Sequence, residues 1–242
     1  MIEIVKNQLD FGLITNRREV IDFWQEEIGL SLDHVLRVRR GQDQYRFDVA
    51  GSVIKVNLLT DHEWRDEERS GYDELWIAKP GIEKPEEFVD PDGNRMCFVP
   101  SGVGGVTQIG ARLRVPELAR AMAHYGEVLG FEPTGEARFC CGDSVLQLVE
   151  DAAAPTGIER PGKGWTYLTV QVRDCDAEVA RIEAAGARIA TRPINLGEVA
   201  RMAMVSDPDG NLLEISQRAS LTGPLPYQED RKRATKSPGE DR

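Results

Sequence analysis

The sequence predicts an α+β protein built from two tandem copies of one strand-and-helix unit. Three observations carry this. The pentapeptide Asp90-Pro91-Asp92-Gly93-Asn94 recurs 117 residues later as Asp207-Pro208-Asp209-Gly210-Asn211. A helix-like segment at 23–30 (FWQEEIGL) is echoed 101 residues later at 124–131 (HYGEVLGF). Around both lie short segments of alternating apolar and polar residues, the pattern of strands with one buried face. The two offsets differ by 16 residues, so one copy is shortened. A repeat of this length marks a duplicated structural unit.

In the first copy, residues 9–15 read as a strand. Asn16 is placed to cap the next helix, with Glu19 three residues on as its capping-box partner. Val20, Ile21, Trp24 and Ile28 form the buried face of that helix. Residues 45–49 and 53–59 are strands joined by Ala50-Gly51-Ser52. In the second copy, 107–115 is a strand, and Pro116 sits where a helix begins, since its missing N–H is not needed there. Leu118, Met122, Tyr125 and Leu129 continue that helix's apolar face. Strands follow at 137–141, 144–149, 167–172, 200–206 and 212–216. Residues 174–189 read as a helix and its closing turn. Asp174 caps it, Val179 and Ile182 share one face, and Gly186 ends it. The first copy has Lys79-Pro80-Gly81 and Lys84-Pro85 in the corresponding place, which break helices. It is therefore a shortened copy that has lost one helix. The two Asp-Pro-Asp-Gly-Asn segments are turns in which Pro presets φ, and Gly and Asn accept positive φ. These elements divide the chain into a first copy at 1–103, a second at 104–218, and a proline-rich, charged tail at 219–242 expected to be disordered.

Composition narrows the function classes. The 242 residues are 40% hydrophobic and 29% charged, enough for an ordinary buried core. The formal net charge of −11 argues against a nucleic-acid partner. It leaves room for an anionic small substrate, because one arginine in a pocket can outweigh the global field locally. No apolar run reaches the roughly 18 residues that span a bilayer, and the start of the chain predicts no secretion signal. Cys97, Cys140, Cys141 and Cys175 form no CxxC pair, so they read as reduced structural thiols and fit a cytoplasmic protein.

Strand alternation separates two faces in the second copy. Ile109, Ala111, Leu113, Val115, Leu168, Val170, Val172, Leu213 and Ile215 must lie under the helices. Gln108, Gly110, Arg112, Tyr167, Thr169, Gln171, Glu214 and Ser216 lie on the opposite face, with Gln147. Such a polar face either meets solvent or, if the sheet curls, lines a pocket.

Residues 115–131 (VPELARAMAHYGEVLGF) and 206–215 (SDPDGNLLEI) resemble the first helix and the closing hairpin of the vicinal oxygen chelate superfamily. This group includes glyoxalase I, methylmalonyl-CoA epimerase, extradiol dioxygenases and the bleomycin and fosfomycin resistance proteins. The likeness extends over nearly all of residues 1–218. It implies paired βαβββ modules, each pair curling into a cup covered by helices. It also implies a divalent metal held by one position on the first strand and one on the last strand of each module. In the second copy those positions carry Gly110, Gln147, Tyr167 and Glu214. In the first they carry Leu9, Lys55 or Asn57, and Cys97, a set that looks dead for metal. Only Gln147 and Glu214 are usual ligand types, so the expectation is no cofactor or a weakly held divalent metal, with Gln108 as a substitute for Gly110. The two-His-one-carboxylate set of an oxygen-activating iron site is missing. His124 falls at a helix core position, His62 in a charged loop and His34 near a strand start, which argues against ring-cleaving dioxygenase chemistry.

Two functions fit. One is proton-transfer catalysis by an isomerase, epimerase or lyase acting on a small molecule in the second cup. There Glu214 is the general base, Tyr167 donates to a substrate oxygen, and Arg112 holds an anionic group. Gln108, Gln147, Trp165 and Thr169 complete the substrate-binding set, Trp165 as a stacking wall. The alternative is sequestration without catalysis, as in bleomycin-type resistance proteins. Dimerisation is common in the superfamily, and the sequence leaves a homodimer open.

Overall fold

The computed structural model describes residues 2–61, 69–158 and 162–226. His62 and most of the expected disordered tail lie outside the described residues. The described part of the tail begins with one helical turn, Ala219–Thr222. No helix among the described residues is long and apolar enough to cross a membrane.

The expected α+β architecture is present: among the described residues there are fifteen strands in two sheets, with few helices. The chain runs β1 (Asp10–Thr15), α1 (Glu19–Asp22), β2 (Leu32–Arg39), β3 (Gln42–Val49), β4 (Ser52–Leu59), β5 (Tyr72–Lys79), β6 (Glu86–Val89) and β7 (Arg95–Pro100). It continues through β8 (Ile109–Val115), α2 (Leu118–Ala123), β9 (Glu132–Gly135), β10 (Arg138–Cys141), β11 (Ser144–Glu150) and β12 (Gly164–Gln171). Then come α3 (Cys175–Ala184), β13 (Arg188–Leu196), β14 (Ala200–Ser206), β15 (Leu212–Arg218) and α4, the turn at Ala219–Thr222.

Sheet pairing departs from the expectation that each copy curls a cup of its own. The larger sheet has the order β13-β14-β15-β12-β1-β4-β3-β2, and the smaller has β6-β7-β5-β8-β11-β10-β9. Each sheet therefore joins one half of the first copy to one half of the second. The joins are antiparallel, β1 with β12 and β5 with β8. The reason is the shared core. Phe11 of β1 stacks on Trp165 of β12 at 4.4 Å between ring centroids and meets Tyr72 of β5 edge-on at 5.6 Å. The apolar faces of both sheets and the buried faces of α1, α2 and α3 form one continuous cluster. All nine residues assigned by alternation to the helix-covered face are buried. The opposite faces of the two sheets point outward.

The shortened copy has lost more than a helix. Between β5 and β7 there is only β6, whereas α3, β13 and β14 lie between β12 and β15. One strand has gone with the helix, so the sheets have seven and eight strands. The strands that alternation did not reveal include all four sheet edges, β2, β6, β9 and β13. Charges, prolines and solvent exposure keep edge strands from pairing further, and the same features blur their pattern.

Local details correct three further expectations. Asn16 does not cap α1. Thr15 Oγ1 instead accepts from Arg17 N at 3.0 Å and donates to Asp92 Oδ2 at 2.5 Å. Pro116 lies two residues before α2, and Met122 is exposed. In the Asp-Pro-Asp-Gly-Asn turns, Gly93 and Gly210 take positive φ of 81° and 97°, but the asparagines do not. Asn211 instead donates its backbone and side-chain N–H to Asp207, both at 2.8 Å, and Asn94 does the same to Asp90. Each turn then docks on the helix region of the other sheet. Asp209 meets Arg120 at 2.6 Å, while Arg17 donates to Pro91 O at 2.6 Å. Asp174 caps α3 as expected, accepting from Ala177 N at 3.0 Å.

His124 is buried in the helical turn that continues α2, edge-on to Tyr125 at 5.4 Å, and Nε2 has no partner. Burial pushes its imidazole down to about 4. Because the unfolded chain then binds a proton that the folded one does not, stability should fall as pH drops from about 6.5 towards 4, by up to about 3 kcal/mol. Urea unfolding of the wild type and of His124→Gln between pH 7 and pH 4 measures this. The variant should lose that part of the slope.

Candidate functional site: a cup with a cationic floor

The outward face of the larger sheet curls around a cavity of about 470 Å³. Its floor is made where the two halves meet. In the β1–β12 join, Gly12 pairs with Tyr167 and Leu13 with Trp165, so Thr166 is an extra residue on β12. This bulge reverses the alternation. Tyr167 faces the cup, while Trp165 turns into the core, stacks on Phe11 and donates to Arg95 O at 3.0 Å. Trp165 is therefore no stacking wall for a ligand. The ring of Tyr167 lies against the backbone of Gly12, where a Cβ would come within 2.2 Å of it. The same device recurs in the smaller sheet, where Trp76 approaches the space of a Gly110 Cβ to 3.0 Å.

Lys55, on β4, is 3% exposed and reaches across the floor. Its Nζ donates to Thr169 Oγ1 at 2.7 Å and Glu214 Oε1 at 3.1 Å, and lies 3.9 Å from Asp10 Oδ2. Burial pushes the Lys55 ammonium down, against the upward pull of Glu214 and Asp10. Against the upward push of burial, Lys55 and Lys6 hold the Asp10 carboxyl below its ordinary range. Asn57 donates to Tyr167 Oη at 3.1 Å and accepts from Gln44 at 3.0 Å. Burial and the nearby Glu214 charge push the Tyr167 phenol far up, so it stays neutral. Arg46 donates to Gln44 Oε1 at 2.6 Å.

The structure brings together three of the residues singled out from the sequence: Tyr167, Thr169 and Glu214. It separates the others. Gln108, Arg112 and Gln147 belong to the smaller sheet or its approach, because β8 and β11 pair there. Arg112 is held by Asp73 at 2.9 Å through two nitrogens and by Glu74 at 3.1 Å. Gln147 donates to Ala137 O and Leu148 O and accepts from Arg138 at 2.8 Å, which occupies the amide fully. Both are engaged by neighbours on that sheet. On the smaller sheet, Cys97, Val99, Val106 and Val145 pack together against Trp76. In the first copy Leu9 is core and its neighbour Asp10 borders the floor, while Lys55 and Asn57 both face the cup. His34 is exposed beside Asp33.

Sequence reasoning missed Arg46, Gln44, Asp10 and Arg218. A signal was present. Gln42, Gln44 and Arg46 alternate with Asp43, Tyr45 and Phe47, as Lys55 and Asn57 do with Ile54, Val56 and Leu58. Those strands were read as belonging to another cup.

The floor does not fit a metal. Parallel pairing sets Lys55 opposite Gly12 and Glu214 opposite Thr169, and brings the Lys55 ammonium to 3.1 Å from Glu214 Oε1. The ammonium lies among the oxygens that a cation would need, and a divalent ion there would meet its charge. Among the described residues no three His, Cys, Asp or Glu side chains cluster as ligands.

Residues 106–215 match the family model of the Glyoxalase/Bleomycin resistance protein/Dioxygenase superfamily. Over that stretch, rather less than half of the chain, the sequence is similar to this superfamily. Several solved structures share its fold. Glyoxalase I from Zea mays superposes with a TM-score of 0.67 at 14% identity, covering 87% of this chain and 92% of that one. A putative dioxygenase from Bacillus subtilis gives 0.65 at 15% identity, covering 90% and 86%. The cppA protein of Streptococcus pneumoniae gives 0.56 at 11%, covering 89% and 99%. At these identities the likeness is one of fold. No curated protein sequence matches the chain.

Replacing Lys55 by Met should destabilise the fold by about 3 kcal/mol at pH 7, since it leaves Glu214 without its ion pair and takes one of two nearby ammonium groups from buried Asp10. Asp10 is held low by Lys55, so the wild-type advantage is present above about pH 4 and lost below it. The gap between wild type and Lys55→Met in urea unfolding should therefore narrow as pH falls through that value.

Proposed function

We propose that the protein captures a small organic molecule in the cup of the larger sheet and holds it without a metal. The observation that carries this reading is the pairing of Glu214 with Lys55. The carboxylate best placed to abstract a proton is already spent in an ion pair that fixes the floor. Around that floor the walls are apolar: Leu36 and Val38 from β2, Ile194 and Leu196 from β13, Met202 and Met204 from β14. Methionine and aliphatic side chains adapt to varied apolar bodies. A concave apolar wall over a few fixed polar groups is the usual form of a small-molecule site. The family description names bleomycin resistance beside glyoxalase, so capture has precedent on this scaffold.

Proton-transfer catalysis is the second reading, and one observation favours it. Tyr167 Oη accepts from Asn57, which leaves its own proton to donate to a ligand oxygen. In that reading Tyr167 is the acid and Glu214 the base, freed from Lys55 by the ligand.

A calorimetric screen of aromatic and acyl compounds separates the two. Under the capture reading, a bound compound should lose about ten-fold or more in affinity for Met204→Trp, which fills the cup, and should keep most of it for Tyr167→Phe. The bound compound's acidic C–H should exchange with D2O no faster than in solution, as followed by proton NMR. Exchange that depends on both Tyr167 and Glu214 would replace capture with catalysis.

A further inference from the structure

The electrostatics of the cup are at odds with those of the chain. Its lining carries Arg39, Arg46, Lys55 and Arg218 against Glu214 alone, in a protein whose formal net charge is −11. Arg39 is paired with Asp61 at 3.0 Å, and Lys55 with Glu214. Arg46 and Arg218 have no ion pair among the described residues. Arg46 is 4% exposed, and its Nε has no hydrogen-bond partner. Burial and the nearby Arg218 work against its charge, partly offset by Asp10 and Glu214.

These two arginines stand at one place. Behind the cup lies a smaller cavity of about 220 Å³. Arg46, Arg218 and Gln171 line both spaces, so they stand between them. Gln171 Oε1 is also buried there without a partner. The carboxylates nearby are engaged. Asp10 accepts from Lys6 at 2.5 Å, Val53 N at 3.0 Å and Gln171 Nε2 at 3.3 Å, and Glu214 accepts from Lys55. Asp33, also at the smaller cavity, points to solvent beside His34.

A buried guanidinium with a single amide partner is costly, and a planar anion meets its fork of donors with two parallel hydrogen bonds. The walls formed by β2, β13 and β14 are mostly apolar, with Arg39 and Thr191 among them. We infer that the captured molecule is an amphipathic organic carboxylate, its apolar body against β2, β13 and β14 and its carboxylate between Arg46 and Arg218. This rests on the reading of the cup as a binding site and adds the class of ligand.

The test is calorimetric titration of the full chain with 2-naphthoate and with 2-naphthamide, which match in shape and differ in charge. The carboxylate should bind about ten-fold tighter or better. Arg218→Gln should reduce that preference to about three-fold or less and leave the affinity for the amide unchanged. Arg46→Gln, checked by circular dichroism for retention of fold, should do the same. If this buried substitution prevents folding, Arg218→Gln decides alone. Equal affinities for the two compounds would overturn the anion assignment while leaving the cup as a binding site. Binding of neither at about millimolar concentration would overturn both. A full preference retained in the variants would overturn the assignment to these two arginines.

Discussion

The antiparallel join between β1 and β12 is the constraint on which the rest of this structure depends. It pairs Asp10 with Thr169, residues that lie far apart in sequence, and so closes the larger sheet from the two ends of the described chain. Everything on the cup floor follows from it. Lys55 can reach Thr169 and Glu214 only because β4 runs beside β1 and β15 beside β12. The single extra residue in this join, Thr166, decides which aromatic serves which purpose. Without the bulge Trp165 and Tyr167 would share a face. With it, Trp165 seals the core between the sheets and Tyr167 lies flat on Gly12 at the base of the cup. Contacts of such long sequence separation are costly in chain entropy, and the aromatic cluster of Phe11, Tyr72, Trp24 and Trp165 supplies apolar burial where that cost falls.

The two sheets follow one plan and put it to different ends. In both, an aromatic residue leans over a glycine on the neighbouring central strand, and an Asp-Pro-Asp-Gly-Asn turn reaches across to the other sheet. On the smaller sheet, however, the polar positions are tied up with one another. Arg112 is clamped by Asp73 and Glu74, Gln147 by Arg138 and two carbonyls, and small apolar side chains pack over Trp76. That face contributes stability. On the larger sheet some polar atoms at the cup are unsatisfied, among them Arg46 Nε and Gln171 Oε1. A concave, low-dielectric surface concentrates the field of the few charges there far more than the acidic exterior can dilute it.

Lysine at a position where this superfamily is expected to carry a metal ligand changes what the cup can do. A fixed ammonium neutralises the neighbouring carboxylates and supplies hydrogen bonds, but it adds no Lewis acidity and opens no coordination position. It also ties floor stability to charge: Lys55 and Glu214 depend on each other, because either alone would be a poorly compensated ion, while Asp10 is held by Lys6 as well.

Residue pattern alone determined a good deal here. The internal repeat, the α+β class, the buried face of the central strands and the capped α3 were all legible, because each is a local consequence of periodicity, capping chemistry or turn geometry. So was the family resemblance of residues 106–215, through two short motifs at the helix and the closing hairpin. Tyr167, Thr169 and Glu214 were placed on one outward face by simple alternation. Tertiary structure alone decided which modules share a sheet. Tandem order suggests neighbours in sequence, but the apolar faces are buried best when the outer modules join each other and the inner modules join each other. That choice removed Arg112, Gln147 and Gln108 from the cup and brought Lys55, Asn57 and Arg46 into it. The bulge at Thr166 is equally invisible to alternation, since a register shift exists only between two strands. Physical chemistry written into one strand can be read from that strand, whereas chemistry that arises between strands waits for their pairing.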